Sequence, residues 1–415
     1  MPATAGLFLA ALATYLVTLA LREIVTTRAV RATADAERVV LGERIAELAE
    51  RRRRDTEKAE RTWDGFRKFV VARKEMEATD ICSFYLEPHD RRLLPVFMPG
   101  QYLTFRLTIP GQSKPVIRCY SLSDAPKAEY FRVTIKRIGP PPGKPDGLPG
   151  LASSNFHEEI EVGNILDVKA PAGQFWLEPS DTTPVVLIGG GIGVTPVLSM
   201  LQGIVDANAR REVWFFYGLR NRTEHVMARH LHGIAAQNPN ISLHVCYSDP
   251  TAECRPDADY QHAERVSVDL LRRVLPSNAP HFYICGPPPM MQAMVEGLTA
   301  WGVPPERIHH EAFGPASVKS AATSHAPASA EASAEIVFSR SGRQCLWDGR
   351  STLLEMAEAN GVRLDFGCRA GNCGTCLTAL KAGEIDYPSP PGMTVEAGSC
   401  LACVAVPKGK VTLDA

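Results

Sequence analysis

The sequence lacks an excess of charge of either sign. Its 415 residues include 45 Lys and Arg against 46 Asp and Glu, a formal net charge of −1. A nucleic-acid-binding protein needs a basic surface, so this balance argues against that class. The chain also lacks the dense cysteine framework of a small secreted protein, because its 11 cysteines are spread over a length that predicts two to four domains. We therefore expect a reducing compartment.

An apolar run stands at the start of the chain with no positive charge before it. Residues 5–21 are uncharged and span about 26 Å as a helix, slightly short of a ~30 Å hydrocarbon core; residues 2–4 extend them. A cleaved signal peptide, the alternative, carries basic residues before such a run, whereas here Arg22 and Arg28 follow it. The positive-inside rule thus predicts a single-pass transmembrane helix over residues 1–24 in the inner membrane, with the rest cytoplasmic.

Two further segments are predicted to lie outside the globular domains. Residues 25–61 are rich in Ala, Glu and Arg, and Val39, Ile45 and Leu48 form a loose apolar stripe, which is typical of a charged helical stalk. A short coiled coil is the alternative, although the stripe is too brief to predict a dimer. Residues 316–334 are rich in Ala, Ser and Pro without apolar periodicity, which predicts a flexible linker.

A set of cysteines near the end of the chain is its clearest motif. The spacing is C-x4-C-x2-C followed by a distant fourth cysteine, over Cys368, Cys373, Cys376 and Cys403. This spacing is typical of a plant-type [2Fe–2S] cluster, in which four thiolates bind two irons. Gly367, Gly371 and Gly374 allow the positive φ and close amide approach that such a loop needs. A zinc site is the alternative, but zinc loops usually carry paired C-x2-C motifs and only one is present.

Cys400 competes with Cys403 for the fourth place. The segment around Cys403 resembles the end of ferredoxins, in which a cysteine is followed by a short hydrophobic strand and a proline, here Pro407. This resemblance implies that Cys403 is the ligand and that Cys400 is a packed neighbour. It also implies a β-grasp ferredoxin domain over residues 335–415.

A β-rich domain is predicted over residues 62–180, where short alternating apolar stretches are separated by Pro and Gly. Its stretch RCYSLS contains an arginine, an aromatic residue and a hydroxyl, Arg118, Tyr120 and Ser121, which we expect to share one face of a strand. Such a face can bind a phosphate, cover a flat ring and hydrogen-bond its edge. Residues 150–157 then open a predicted short helix with small residues, whose amides suit a pyrophosphate.

Two further stretches follow, VGN at 162–164 and APAGQF at 170–175. The order of all these stretches resembles that in the ferredoxin–NADP reductase superfamily. The likeness is strongest to the reductase half of flavohaemoglobins and to the reductases of multicomponent oxygenases. It implies an FAD-binding antiparallel β-barrel in which the arginine and tyrosine hold the flavin phosphate and ring, and the serine contacts the flavin N5 edge. FMN is the alternative, as in oxygenase reductases that also end in a ferredoxin domain. The implied flavin contacts are Arg118, Tyr120, Ser121, Leu122, Gly150, Leu151, Ala152 and Ser153.

A strand, a glycine turn and a helix begin the next predicted domain, residues 181–315. Residues 185–188 are a continuous apolar run, as in a buried parallel strand, and residues 197–205 are a predicted helix. The turn between them departs from G-x-G-x-x-G but matches the GGxGxTP of the reductase family. With three further apolar strands it predicts a doubly wound parallel sheet that binds a pyridine nucleotide. The implied nucleotide contacts in this turn are Gly190, Gly191, Gly193, Thr195 and Pro196.

A second turn, Cys285-Gly286-Pro287, follows the last of these strands. The resemblance places this turn at the nicotinamide, with Cys285 near its reactive carbon; burial as a small core residue is the alternative. Ser121 and Cys285 are the implied catalytic residues. Phe313 either covers the flavin ring, as the resemblance implies, or simply packs.

The choice between NADH and NADPH depends on the charges after the second and third strands of this domain. Arg220 and Arg222 would suit the 2′-phosphate of NADPH. Asp249, however, stands where NADPH-preferring relatives often carry arginine and would repel that phosphate. The sequence therefore favours NADH, with NADPH as the alternative.

This multidomain α/β and β chain is thus predicted to be a redox chain in sequence order. The resemblance implies electron transfer from NADH through FAD and a [2Fe–2S] cluster to an acceptor protein such as an oxygenase, hydroxylase or desaturase, which the anchor suggests is membrane-bound. No globin-like segment precedes the flavin domain, so haem chemistry is not implied. A quinone or respiratory-type NADH reductase is one alternative, although sodium-pumping enzymes of that type have their ferredoxin domain first. A non-enzymatic iron–sulfur redox sensor is another.

Overall fold

The computed structural model describes most of the chain after residue 62. The described residues are 65–140, 146–313, 334–367, 374–388 and 395–415, with the isolated residues 19, 22, 44, 63, 143, 369, 371 and 391. The chain divides into two compact units, Met1–Arg61 and Thr62–Ala415. Apart from the isolated residues 19, 22 and 44 and from residue 334, the predicted anchor (1–24), stalk (25–61) and linker (316–334) lie outside the described residues. Within the described residues, no helix is both long and apolar enough to cross a membrane.

The first domain is an antiparallel barrel. Its elements are β1 (Arg67–Ala78), β2 (Ile81–Pro88), β3 (Tyr102–Leu107), β4 (Val116–Ser121), β5 (Phe131–Lys136), α1 (Leu151–Glu158) and β6 (Ile165–Val168). The strand order is β4-β3-β6-β1-β2-β5, and every pair is antiparallel. A bridge between Leu122 and Val133 joins the two edge strands, and the Ser123 amide donates to the Arg132 carbonyl oxygen at 2.9 Å. The predicted antiparallel barrel is confirmed.

Aromatic packing fixes helix α1 against this barrel. Phe156 of α1 is fully buried and makes edge contacts with Phe84 of β2 and Phe105 of β3, with ring centroids 5.2 Å and 5.3 Å apart. The amide of Gly150, just before the helix, donates to the Ile138 carbonyl oxygen at 2.8 Å. Because both ends are tied down, the start of α1 has a defined position beside the barrel.

The second domain is a parallel sheet between two layers of helices. Its elements are β7 (Val185–Gly190), α2 (Val194–Asp206), β8 (Val213–Leu219), α3 (Ala228–Gln237), β9 (Ile241–Tyr247), α4 (Val268–Val274), β10 (His281–Gly286), α5 (Pro288–Ala300) and β11 (Ile308–Ala312). The order is β11-β10-β7-β8-β9, with all pairs parallel. One apolar cluster joins the sheet to α2 and α3, and another joins it to α4 and α5. The predicted doubly wound sheet is confirmed.

The strand order places a crevice between β7 and β10. The two strands are neighbours, yet the chain leaves β7 toward the α2 face and leaves β10 toward the α5 face. In open α/β sheets, ligands bind at the carboxyl ends of strands where the order reverses in this way. The turns after β7 and β10 meet at that point.

The third domain is a small mixed sheet crossed by one helix. Its elements are β12 (Glu335–Phe338), β13 (Arg343–Leu346), α6 (Leu353–Ala359), β14 (Leu377–Ala382), β15 (Ile385–Asp386), β16 (Ser399–Leu401), β17 (Val406–Pro407) and β18 (Val411–Leu413). The main order is β13-β12-β18-β14-β16, with β12 and β18 parallel. A capping box between Thr352 and Glu355 starts α6, which stabilises the helix by satisfying two amides at its N-terminus.

Helix α6 also positions the segment that contains Cys403. The Leu353 amide donates to the Ala405 carbonyl oxygen at 2.9 Å, and the Leu354 amide donates to the Ala402 carbonyl oxygen at 2.8 Å. Both leucines are buried in the core of the domain. The backbone on either side of Cys403 is therefore fixed to the start of α6.

Candidate functional site

Strand β4 presents Arg118 and Tyr120 on one face, since they are two residues apart. The Tyr120 ring makes edge contacts with Phe105 and Phe156, with centroids 5.8 Å and 5.2 Å away. Arg118 is partly buried and donates to the carbonyl oxygen of the preceding residue at 2.7 Å. Ser121 is adjacent to Tyr120, so by the same alternation its side chain lies on the other face. The expectation of one shared face is therefore corrected: it holds for Arg118 and Tyr120 only.

The charges around this face favour an anion. Burial lowers the pKa of the Arg118 guanidinium, and the positive charge of Arg369 acts in the same direction. An anion beside such a cation restores its preference for the charged form, and the guanidinium fork matches a phosphate. Burial raises the pKa of the Tyr120 phenol, so the ring is neutral at neutral pH. The face therefore fits the phosphate and the flat ring of a flavin nucleotide.

The start of α1 supplies a second polar surface. The Ser153 hydroxyl donates to the Gly150 carbonyl oxygen at 2.9 Å and accepts from the Ile138 amide at 3.1 Å. Because this hydroxyl bonds within the protein, Ser153 offers a ligand its backbone rather than its side chain. The Ser154 hydroxyl is buried and has no hydrogen-bond partner among the described residues, and a bound polar group would satisfy it. Sequence reasoning missed Ser154, whose only signal is its place in the run of small polar residues.

The glycine turn after β7 packs directly on the turn after β10. A Cβ on Gly193 would lie 2.5 Å from the Cys285 carbonyl oxygen, and a Cβ on Gly190 would lie 2.5 Å from Sδ of Met290. A larger residue at Gly193 would push the backbones of the two turns apart, whereas one at Gly190 would displace the Met290 side chain and press on Pro287. Gly191 has φ +54° and open space around its Cβ position. The turn thus leaves its backbone exposed at the crevice, which fits a nucleotide pyrophosphate.

The other predicted nucleotide contacts are of two kinds. Thr195 and Pro196 are buried in the first turn of α2, and the Thr195 hydroxyl donates to the Ile192 carbonyl oxygen at 3.1 Å. Their side chains therefore shape the turn. Pro287 caps the start of α5, and Phe313 is 36% exposed after the end of β11. Direct contact of these residues with a cofactor stays a prediction.

Cys285 is fully buried near the carboxyl end of β10. Its register places it between Gly189 of β7 and Glu311 of β11. Burial raises the pKa of the Cys285 thiol well above its usual value, and the Glu311 carboxylate acts in the same direction. At neutral pH the side chain is therefore a neutral thiol, and its predicted place at a nicotinamide stays a prediction.

The residues proposed to choose between NADH and NADPH lie together after β8 and β9. The Asp249 amide donates to the Arg220 carbonyl oxygen at 2.9 Å, and both side chains are exposed. The Arg220 guanidinium forms an ion pair with Glu224 at 2.8 Å, and Glu224 also accepts from Lys136 of the barrel at 3.0 Å. The positive charge of Arg220 is therefore partly compensated, while Asp249 adds a negative charge.

Two of the predicted cluster ligands lie close together. Cys376 and Cys403 are both 2% exposed, and their Sγ atoms are 3.1 Å apart. Two thiolates on one tetrahedral metal, each at about 2.3 Å, are roughly 3.8 Å apart, so a small shift would let both bind one iron. Cys400 is fully buried in β16, where it pairs with Thr378. The predicted ligands Cys368 and Cys373 lie outside the described residues.

Arg369, which follows Cys368 in the chain, contacts helix α6, and sequence reasoning missed this contact. Its guanidinium forms a two-pronged ion pair with Glu358 of α6, and its Nη1 lies 3.0 Å from one carboxylate oxygen. The same guanidinium lies over the Phe366 ring, 4.0 Å from the centroid. Arg369 is 9% exposed, and such bidentate pairs are strong and directional. Arg369 is thus tied to the helix that also fixes the Cys403 segment.

Comparison with known domain families agrees with this division of the chain. An oxidoreductase FAD-binding domain matches residues 68–176 and an oxidoreductase NAD-binding domain matches residues 187–296. A 2Fe-2S iron-sulfur cluster binding domain matches residues 338–408. The three matches follow one another in the order barrel, parallel sheet and small mixed sheet.

Similar proteins support the same assignment. A flavohemoprotein of Halalkalibacterium halodurans is 40% identical over 254 residues, and one of Chromobacterium violaceum is 39% identical over 262 residues. These matches cover 61% and 63% of this chain. The chain likewise spans only 61% and 63% of the length of those relatives.

Two solved structures extend the comparison to the fold. The flavohem-like FAD/NAD binding domain of nitric oxide dioxygenase from Vibrio cholerae is 34% identical with a TM-score of 0.54, covering 60% of this chain and 100% of that chain. Phthalate dioxygenase reductase is 25% identical with a TM-score of 0.50, covering 85% of this chain and 98% of that chain. The second match takes in nearly the whole of that protein. This chain belongs to the ferredoxin–NADP reductase superfamily of flavoproteins and carries a C-terminal plant-type [2Fe–2S] ferredoxin domain.

Proposed function

We propose that this chain is an NAD(P)H-dependent reductase that passes electrons from NADH, through FAD and a [2Fe–2S] cluster, to an acceptor protein such as an oxygenase, hydroxylase or desaturase. The observation that carries the proposal is the match to phthalate dioxygenase reductase, which covers 98% of that chain. Its title describes a modular structure for electron transfer from pyridine nucleotides to [2Fe–2S]. The domain matches supply a site for each of the three redox groups.

The protein's part in this reaction is to bind the cofactors, to orient them and to exclude water. Arg118 would neutralise the flavin phosphate, and Tyr120, held by Phe105 and Phe156, would support its ring. The packed turns at Gly193 and Cys285 would hold the nicotinamide in the crevice. Bound FAD would supply hydride acceptance and single-electron release to the cluster, whereas this chain would supply binding and orientation.

An anaerobic NADH titration of the purified protein tests this proposal directly. We expect the flavin absorbance to bleach and a rhombic electron paramagnetic resonance signal of the reduced cluster to appear. The oxidised and the dithionite-reduced protein are the two reference states. Bleaching without a cluster signal, in protein shown to contain iron and sulfide, would contradict the proposed path. NADH-dependent reduction of a quinone by the same protein would instead favour a respiratory-type reductase.

The preference for NADH is proposed to depend on Asp249. Asp249→Arg should raise the ratio of kcat/KM for NADPH to that for NADH by about tenfold or more, because one unit-charge contact is worth about 1 kcal/mol in water and its sign is reversed. Steady-state rates with ferricyanide as acceptor measure this. Glu306→Arg makes the same charge change at the exposed turn before β11 and should leave the ratio unchanged. An equal shift in both variants would refute a local role for Asp249.

We also propose that residues 5–21 anchor the chain in the inner membrane, so that the acceptor is membrane-bound as well. The support is the uncharged apolar sequence and the arginines after it. The full chain is expected to sediment with the membrane fraction of a lysate and to need detergent for release, whereas a chain beginning at Trp63 should stay in the supernatant. Recovery of the full chain in the supernatant without detergent would exclude the anchor.

A further inference from the structure

One aromatic side chain of the ferredoxin domain contacts the flavin-binding strand. The Phe366 ring has the Arg369 guanidinium 4.0 Å from its centroid, and the guanidinium of Arg118 lies 5.5 Å from the same centroid. Cations within about 6 Å of an aromatic centroid are attracted to the ring. Phe366 therefore links an arginine of the cluster loop to the arginine that is assigned to the flavin phosphate.

A second contact lies beside the first. The Lys114 ammonium is 3.9 Å from the carboxylate of Asp365, which is the neighbour of Phe366 in the chain. Lys114 lies two residues before β4, so the two contacts join β4 and the residues just before it to adjacent residues of the ferredoxin domain. Both side chains of the ion pair are largely exposed, and such pairs are weak and sensitive to salt.

We propose that Phe366 is a positioning residue for electron transfer within the chain: it holds the cluster loop against the flavin-binding strand at Arg118, and the Lys114–Asp365 pair sets its orientation. The inference rests on the proposed function. The two contacts described are individually weak, which would let the ferredoxin domain leave this position. That property suits a domain that must receive electrons at the flavin and then deliver them to a separate acceptor protein.

The Phe366→Ala variant tests the proposal by separating two activities. Ferricyanide takes electrons directly from reduced flavin, so its NADH-dependent reduction should stay within about twofold of the unmodified protein. Cytochrome c reduction through the cluster should fall by about tenfold, because the aromatic contact between the domains is lost. Phe366→Trp keeps an aromatic face and should restore most of the rate. Iron content and the electron paramagnetic resonance spectrum of the dithionite-reduced cluster should not change.

A charge-exchange pair and a cross-link supply readouts that do not depend on folding around Phe366. Lys114→Glu and Asp365→Lys should each slow cytochrome c reduction at low salt, and the double variant should recover it. A zero-length carbodiimide reagent should join Lys114 to Asp365 in the unmodified protein, as mapped by mass spectrometry, and fail in Asp365→Asn.

The outcomes separate this inference from the proposed function. If NADH does not reduce the cluster of the unmodified protein at all, the proposed electron path fails. If the cluster is reduced but Phe366→Ala passes electrons to cytochrome c at the unmodified rate, only the role of Phe366 is refuted. The absence of both the cross-link and the double-variant recovery would refute the described docking.

Discussion

Arg118→Ala is expected to be purified largely without its flavin. The guanidinium is partly buried on β4, where burial lowers its pKa, and a phosphate bound there would form charge-assisted hydrogen bonds with the guanidinium fork. Hydrogen bonds to charged groups contribute about 1.5–3 kcal/mol, so losing them should weaken flavin binding by roughly 10- to 150-fold. Flavin released by heating, measured by absorbance and set against protein concentration, gives the occupancy. Equilibrium titration with added FAD gives the change in Kd.

Arg106→Ala is the matched control for this loss of flavin. Arg106 lies on the neighbouring strand β3, opposite Ile117, and its guanidinium is 43% exposed in an ion pair with Asp167. The variant removes the same charge from the same sheet but should keep its flavin, since exposed pairs contribute little. Arg118→Lys should bind flavin with intermediate affinity, because it keeps the charge and loses the fork. If Arg118→Ala retains full flavin occupancy, the phosphate is bound elsewhere.

Local sequence patterns predicted the strands well, because the apolar pattern of a strand is contained in its own residues. The continuous apolar run at 185–188 became the buried strand β7, and the alternating stretch at 131–137 became β5. β7 is buried along its whole length, as such a run predicts, whereas β5 also buries Arg132 and Thr134, so its alternation does not mark an exposed face. The glycine turn was also predicted from the sequence, but the structural requirement for Gly193 was not. Glycine is required there because the Cys285 carbonyl oxygen would lie 2.5 Å from a Cβ. That contact joins two turns far apart in sequence.

The parts that sequence reasoning missed depend on contacts between distant segments. Nothing near Phe366 in the sequence indicates that its ring meets Arg118, almost 250 residues earlier. The unsatisfied hydroxyl of Ser154 depends on how α1 packs on the barrel, and its neighbour Ser153 uses its own hydroxyl within the protein. The prediction that Arg118, Tyr120 and Ser121 share one face was wrong for a simpler reason. Adjacent residues of a strand, such as Tyr120 and Ser121, point to opposite sides.

Cys403→Ala is expected to abolish the iron–sulfur cluster while leaving the flavin half active. A [2Fe–2S] cluster needs four protein ligands, and Cys403 places its Sγ 3.1 Å from that of Cys376. NADH-dependent reduction of cytochrome c should fall by about two orders of magnitude, because its electrons pass through the cluster. Ferricyanide reduction should stay within about twofold, since the flavin and nucleotide domains are untouched. Loss of iron, of labile sulfide and of the rhombic signal measures the cluster itself.

Cys400→Ala makes the same substitution three residues earlier and decides which cysteine is the ligand. Cys400 is fully buried and pairs with Thr378 across β14 and β16, so shortening it leaves the contact between Cys376 and Cys403 in place. The variant should keep its iron, its rhombic signal and its cytochrome c activity, with a loss of stability of about 1 kcal/mol, because a small buried side chain is shortened. The reverse pattern, in which Cys400→Ala loses the cluster and Cys403→Ala keeps it, would assign the fourth ligand to Cys400. The distance of 3.1 Å between the Sγ atoms of Cys403 and Cys376 argues against that pattern. The geometry therefore favours Cys403 because its thiol lies at the loop, held there by the backbone bonds that join Ala402 and Ala405 to the start of α6.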